Sequence, residues 1–244
     1  MKPSGIGLLA LGGIVAGAVV VTAVATKVTL GQGSQADGRE GAPAPRDPGE
    51  LTTVTHNLSG FDGIAIEGSW TAVVRRGDEW RVDLTYPEND VGAIDVSVRG
   101  ERLRLGGARP GSLFKRTGGR LTADIEMPAL ATLEAAGENR LTISGFEGGR
   151  LTIEGAGVTD LTGEDCRYDE LELSLAGAGN AQLEGIVVTD AEVEVAGATS
   201  VSLTMDGGEL TGALAGAGRI EYFGTVSRES VDVAGFGRIG PAER

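Results

Sequence analysis

Apolar and polar residues alternate along most of the chain after residue 50. In the clearest segment, Leu171, Leu173 and Leu175 alternate with Glu172 and Ser174. Successive side chains of a β-strand point to opposite faces, so a period of two places the leucines on a buried face and the polar residues in solvent. No segment after residue 50 shows the spacing of an amphipathic helix. The pattern therefore predicts an all-β domain.

A motif of three small residues follows the later alternating segments. Successive copies begin about 20 residues apart, a spacing that is typical of a repeat protein. The copies are Ala135-Ala136-Gly137, Gly155-Ala156-Gly157, Gly177-Ala178-Gly179, Gly197-Ala198-Thr199, Gly216-Ala217-Gly218 and Gly235-Phe236-Gly237. Short strands in repeats of this length predict a parallel β-helix with about 20 residues per rung, in which each strand pairs with its copy one rung along.

Glycine is expected at the corners of such a fold. A bend requires dihedral angles that a Cβ atom opposes, and stacked corners leave no room for side chains. The glycines to which we assign this structural role are Gly137, Gly155, Gly157, Gly177, Gly179, Gly197, Gly216, Gly218, Gly235 and Gly237.

Repetition divides the domain into two parts. Residues 131–244 contain the copies of the motif and form the predicted repetitive β-helix. Residues 51–130 alternate without the motif, and we predict that they form the first rungs or a β-rich cap, because the end of a stack must be covered. Arg76-Gly77-Asp78 and Arg99-Gly100-Glu101 separate alternating segments and are predicted turns.

The segment before the domain predicts export. Residues 5–26 carry no charge, and as a helix they would span about 33 Å, enough to cross a bilayer. They form either a transmembrane anchor, with residues 1–4 as a short cytoplasmic start, or a signal peptide cleaved after Ala23-Val24-Ala25. Residues 27–50 are rich in glycine, proline and charge and form a predicted flexible linker. The domain is then expected in the cell envelope, anchored to the inner membrane, or secreted if the signal is cleaved.

Charge and cysteine content limit the partners. The formal net charge is −14, which disfavours binding to nucleic acid because the phosphate backbone is also negative. Cys166 is the only cysteine, so no intrachain disulfide and no cysteine-based metal site are expected.

Few residues suggest chemistry. His56 is the only histidine, and nothing in the sequence marks a serine and an acid that would join it in a triad. The acids that could line a face, as in β-helix polysaccharide-cleaving enzymes, are Asp160, Glu164, Asp165, Asp169 and Asp190. Solvated strand faces and turns explain these acids better, although the turns could also bind Ca²⁺ weakly. We predict no catalytic, cofactor-binding or metal-binding residues.

Four aromatic residues have two interpretations. They are Trp70, Trp80, Tyr222 and Phe223, which could form a sugar-binding platform if exposed. The two tryptophans alternate with apolar neighbours, which favours packing in the core or the cap.

The chain resembles the bacterial head GIN domain family, also labelled "putative auto-transporter adhesin". The resemblance covers roughly Leu51 to Ile239 and depends on Phe61-Asp62-Gly63-Ile64, on Met127-Pro128-Ala129-Leu130 and on the repeated small-residue motif. It implies a right-handed parallel β-helix in the cell envelope with no established activity. Two copies of the motif depart from the pattern, with Ala135 in place of the first glycine and Thr199 in place of the second.

These observations predict a non-catalytic, exported β-helix that binds envelope or extracellular polymers, either polysaccharide or protein. Two alternatives remain open at this stage. The first is a carbohydrate-active β-helix enzyme, which would require convergent carboxylates beside lysine or arginine. The second is a structural envelope protein that associates with itself through exposed flat strands. The sequence does not predict the oligomeric state.

Overall fold

The computed structural model describes residues 50–87, 94–106 and 121–242, and these residues form strands and turns. The thirteen strands are β1 (Leu51–His56), β2 (Gly63–Arg76), β3 (Arg81–Pro87), β4 (Val96–Arg99), β5 (Arg102–Leu105), β6 (Leu121–Met127), β7 (Thr132–Ser144), β8 (Glu147–Glu164), β9 (Cys166–Asp206), β10 (Glu209–Gly216), β11 (Arg219–Thr225), β12 (Arg228–Gly235) and β13 (Arg238–Pro241). They form one sheet, in which the longest path of paired strands is β1-β3-β6-β2-β7-β8-β9-β10-β12.

The sheet is mixed, and the predicted right-handed parallel β-helix preceded by an N-terminal helix is therefore wrong as a description of the fold. Three strand pairs are antiparallel, namely β1 with β3, β3 with β6, and β4 with β5. One cause is local. Only Gly100 and Glu101 separate β4 from β5, and the φ angle of 62° at Gly100 suits the first central position of a type II′ hairpin turn.

The prediction for the N-terminal segment falls largely outside the described residues. This applies to the short start at 1–4, to the membrane or signal helix at 5–26, and to residues 27–49 of the linker. Within the described ranges, no helix is long and apolar enough to span a membrane.

The strands from β7 onwards pair with one another in parallel. β7 pairs with β8 so that Thr132 aligns with Thr152, its equivalent one repeat further along. β11 pairs with β13 in the same way, with Arg219 beside Arg238. β2 joins the same series, because it pairs in parallel with β7 from Gly63 to Arg75. Equivalent positions of successive repeats therefore lie in columns across the sheet.

Alternation within each repeat determines which columns are buried. Ile153 pairs with Leu173, and both side chains are buried. The outward neighbours of Leu173, Glu172 and Ser174, are exposed or half-buried. Burying one leucine side chain contributes about 1.5–3 kcal/mol, so these inward columns supply most of the stabilisation of the repeats.

Seven glycines form a single column that interrupts this alternation. They are Gly68, Gly137, Gly157, Gly177, Gly197, Gly216 and Gly235, with φ angles from 108° to 133°. A Cβ atom on each of the last six would overlap the carbonyl oxygen of the glycine before it in the column. Only a residue without a side chain fits this close approach of two backbones at a positive φ angle.

The predicted alignment of two motif copies is wrong by two residues. Gly177 pairs with Gly157, whereas Gly155 pairs with Leu175. A Gly-Ala-Gly motif reads the same at its first and third residues, so the sequence does not show which glycine belongs to the column. Gly179 pairs instead with Thr159.

The four predicted corner glycines outside the column have different neighbours. A Cβ atom on Gly179 or Gly218 would overlap the backbone carbonyl of Thr159 or Thr199, respectively. The corresponding atom on Gly155 or Gly237 would overlap a leucine side chain.

Candidate binding groove

The outward side chains of the last repeats line an open groove of about 190 Å³. β9 and β11 supply them, because β11 pairs in parallel with the end of β9. The side chains with polar or aromatic groups are those of Asn180, Gln182, Glu184, Ser200, Ser202, Arg219, Glu221 and Phe223. We call this surface the polar groove.

The strand register brings these residues together although they are far apart in the sequence. Arg219 pairs with Ser200, and Glu221 pairs with Ser202. Asn180 lies one repeat before Ser200 and pairs on its other side with Asp160. Outward side chains in neighbouring strands lie about 5 Å apart, so one extended ligand could contact several repeats at once.

Hydrogen bonds hold both carboxylates of the polar groove. The Ser202 hydroxyl donates to Glu184 Oε1 at 2.6 Å. The Arg219 guanidinium donates to Glu221 Oε1 at 3.3 Å. Neither carboxylate therefore projects freely into the groove, and each acts first as a support for a neighbouring donor.

Two other side chains leave their hydrogen-bonding groups available. Gln182 and Ser200 form no side-chain hydrogen bond within the described part of the chain. An amide and a hydroxyl can each donate and accept, which suits a ligand that carries hydroxyl groups. Phe223 is half-buried at the same surface and offers part of an aromatic ring.

His56 lies far from this groove in the strand order. It is the last residue of β1, which is at one end of the strand path, and it pairs with Val82. Its Nε2 atom is buried without a hydrogen-bond partner in the described ranges. Among the residues that the structure describes, no hydrogen bond joins the His56 side chain to an acid or a serine, as a triad would require.

Two of the candidate acids form hydrogen bonds or ion pairs with neighbouring residues. Asp160 accepts from Asn180 Nδ2 at 3.4 Å and pairs with Arg140 at 3.5 Å. Asp190 accepts from the Glu209 backbone N–H at 2.8 Å. In the turn between β8 and β9, Asp165 has a φ angle of 52°.

The remaining candidates are Glu164, Asp169 and the neighbouring Glu170, of which Glu170 pairs with Arg150. Within residues 50–87, 94–106 and 121–242, no three histidine, cysteine, aspartate or glutamate side chains come together as metal ligands. The absence of a metal site remains a prediction.

The aromatic candidates separate by burial. Trp70 is fully buried, so it cannot stack on a sugar. Trp80 is 39% exposed, and its Nε1 donates to the Phe61 carbonyl at 2.8 Å. The Tyr222 hydroxyl donates to Glu229 Oε2 at 3.0 Å. Of the four, only Phe223 lines the polar groove.

Cys166 is buried between repeats. Its Sγ atom accepts from the Phe146 backbone N–H at 3.4 Å and donates to the Glu164 carbonyl at 3.2 Å. Burial raises the pKa of the Cys166 thiol above its ordinary value, because the thiolate would lose its hydration.

We therefore expect Cys166 to resist alkylation in the native protein. The thiolate is the reactive form, and a raised pKa together with burial lowers both its population and its access to the reagent. Iodoacetamide at mildly alkaline pH, followed by mass spectrometry, should modify the chain only after denaturation. Rapid modification of the native protein would show that the thiol is accessible.

Sequence reasoning missed most of the polar groove. Aligning the motif copies on their first residues places Gln182, Ser202 and Glu221 with Asp160, whereas the register places Asn180 beside Asp160 and Gln182 beside Thr162. This is the same two-residue error as in the glycine alignment. A repeat alignment fixed on the positive-φ glycine would have identified the outward columns.

Among the solved structures, one with a TM-score above 0.5 shows a similarity of fold. A "putative adhesin" from Bacteroides fragilis has a TM-score of 0.58 at 17% identity, covering 79% of this chain and 97% of that one. A "putative adhesin" from Parabacteroides merdae has a TM-score of 0.49 at 17% identity, with 80% and 97% covered. A "putative lipid binding protein" from Parabacteroides distasonis has a TM-score of 0.46 at 17% identity, with 80% and 98% covered. No curated protein matches the chain.

A family model gives the stronger result. The model described as "Putative auto-transporter adhesin, head GIN domain" matches residues 60–202, which is more than half of the 244 residues. The match includes the opening of β2, the parallel strands β7 and β8, and most of β9. The predicted resemblance is confirmed, and the chain belongs to the head GIN domain family.

Proposed function

We propose that the protein is a non-catalytic binding module of the cell envelope that holds an extended glycan in the polar groove. The observation that supports this most directly is the groove itself, where amide, hydroxyl and guanidinium groups from successive repeats lie beside Phe223. Ligand sites commonly combine a few well-placed polar groups with an apolar surface. The adhesin description of the family agrees with a role in binding.

Two features of the groove favour binding over catalysis. Ser202 and Arg219 donate hydrogen bonds to the carboxylates of Glu184 and Glu221, respectively. A glycosidase needs one carboxylic acid to protonate the leaving group and a second carboxylate on the other side of the scissile bond. Glu221 is better suited to orienting Arg219, whose other guanidinium N–H groups can donate to a ligand.

The proposal includes export. Residues 5–26 would anchor the protein in the inner membrane or be cleaved as a signal, and the linker would let the domain reach an extracellular polymer. The groove follows the stack of repeats, so it could accommodate a polymer better than an isolated sugar.

Arg219→Ala should weaken glycan binding. Hydrogen bonds from charged groups contribute about 1.5–3 kcal/mol, so we expect a loss of about ten- to a hundredfold in affinity. The full chain in mild detergent would be applied to a glycan array, with heat-denatured protein as a control, and the bound glycan titrated against both proteins.

Arg150→Ala is the matched control for this test. Arg150 pairs with Glu170 and does not line the polar groove, whereas Arg219 pairs with Glu221 within it. Both variants remove one exposed arginine from its ion pairs, and exposed ion pairs contribute little stability. Equal loss of binding in both variants, or folded wild-type protein that binds no glycan, would contradict the proposal.

A further inference from the structure

The last repeat exposes side chains that belong to inward columns. Val195, Leu214 and Val233 occupy one column, and the first two are buried. Val233 is 46% exposed, because within the described residues no strand follows β12 in the path. Phe236, which follows β12 directly, is 96% exposed. We call the outer side of β12 and β13 the end face.

The end face also has unpaired backbone. In the described part of the chain, β12 pairs on one side with β10, and β13 pairs on one side with β11. The backbone N–H and C=O groups on the other side of an edge strand are a template for pairing with another chain. Repeat proteins normally cover the apolar end of the stack, because an open end exposes interior side chains.

Charge on the end face permits contact between two copies. The charged residues of β12 and β13 are Arg228, Glu229, Asp232 and Arg238, two of each sign, so their net charge is zero. The whole chain carries −14, so most other surfaces of two copies would repel each other.

We propose that a second copy of the chain covers the end face. β12 would run antiparallel to the partner's β12, with a two-fold axis at Val231. Val231 would then face the partner's Val231, and Ser230 would face the partner's Asp232. Arg228 would reach the partner's Asp232 diagonally, a distance that long side chains can bridge. Each β12 strand thus presents the same self-complementary surface to its partner, as two-fold symmetry requires.

The interface is small. Two short strand edges and one aromatic side chain bury less surface than the total of about 1600 Å² that is typical of stable complexes. We therefore expect a reversible dimer whose population depends on concentration. This inference does not depend on the polar groove or on its ligand.

Val233→Glu should dissociate the dimer, because in this pairing position 233 faces the partner's Glu229, and like charges directly opposite each other are destabilising. Sedimentation of the full chain in mild detergent across a concentration series should show dimers for the wild type. The dissociation constant of the variant should be at least about tenfold higher.

Val158→Glu is the matched control, because Val158 is also 46% exposed but lies in the middle of the stack. We expect its dissociation constant to equal that of the wild type. An exclusively monomeric wild type, growth beyond the dimer, or equal weakening by both variants would overturn the proposal.

Val231→Cys tests the contact without adding a charge. Mild oxidation should link two copies through this position, whereas Val158→Cys should give no linked dimer. The native Cys166 is buried and should not compete. Absence of the cross-link under conditions where the wild type is dimeric would also overturn the proposal.

Discussion

Replacement of Gly177 by alanine should destabilise the domain by about 2–6 kcal/mol. Gly177 has a φ angle of 133°, a conformation that costs about 1–3 kcal/mol for a residue with a side chain. The added Cβ atom would also overlap the Gly157 carbonyl oxygen, and forcing atoms into a packed region costs a further ~1–3 kcal/mol. Urea unfolding followed by far-ultraviolet circular dichroism would measure the loss.

Gly149→Ala is the control for this substitution. Gly149 lies in β8 at a negative φ angle, and the nearest atom to its added Cβ would be Asp169 Oδ2 at 3.9 Å. Here alanine should leave stability unchanged or raise it by about 0.4–1 kcal/mol, because it restricts the unfolded chain. If both substitutions changed stability equally, the close approach of backbones along the glycine column would not be a determinant of the fold.

Trp70→Ala should cost about 3–5 kcal/mol of unfolding free energy, the range found when large buried side chains are removed from cores. Trp70 is fully buried in β2, and its Nε1 donates to the Glu67 carbonyl at 3.1 Å. Trp80 also donates to a backbone carbonyl but is 39% exposed. Trp80→Ala should therefore cost less than half as much, since part of its surface already contacts water.

The two tryptophan variants together separate burial from hydrogen bonding. Each loses one indole donor to a backbone acceptor, so the difference between them reports the cavity that remains in the core. Chemical denaturation of both variants would measure this difference in unfolding free energy. Equal losses would show that the core around Trp70 collapses to fill the space.

Some features of the fold could be predicted because they depend on neighbouring positions along one strand. The alternation of Leu171, Leu173 and Leu175 with polar residues correctly predicted that the leucines are buried. Strand direction could not be predicted in this way, because parallel and antiparallel strands share the same period of two. β3 and β6 alternate as clearly as β8 does, yet they pair antiparallel with each other.

The residues of the polar groove come together through the register of the strands, and the sequence predicts register less well than it predicts burial. Asn180, Ser200 and Arg219 look like ordinary surface residues in separate segments, and only their common position in the repeat brings them to one surface. A shift of two residues keeps every side chain on its own face, so the alternating pattern does not reveal the error. The backbone conformation of Gly157 and Gly177 removes the ambiguity, because both have a positive φ angle.

The pairing of β2 with β7 has a consequence for how sequences of this kind can change in length. Gly63 to Arg75 align residue for residue with Thr132 to Ser144, although the chain between them forms β3 to β6. β5 and β6 of this excursion pair with β2 and must be kept, but the entropic cost of a longer turn between its strands grows slowly with the length of the turn. Insertions should accumulate in the turns of this excursion, whereas the later repeats should keep their length, because 19 or 20 residues separate successive glycines of the column from Gly137 to Gly235.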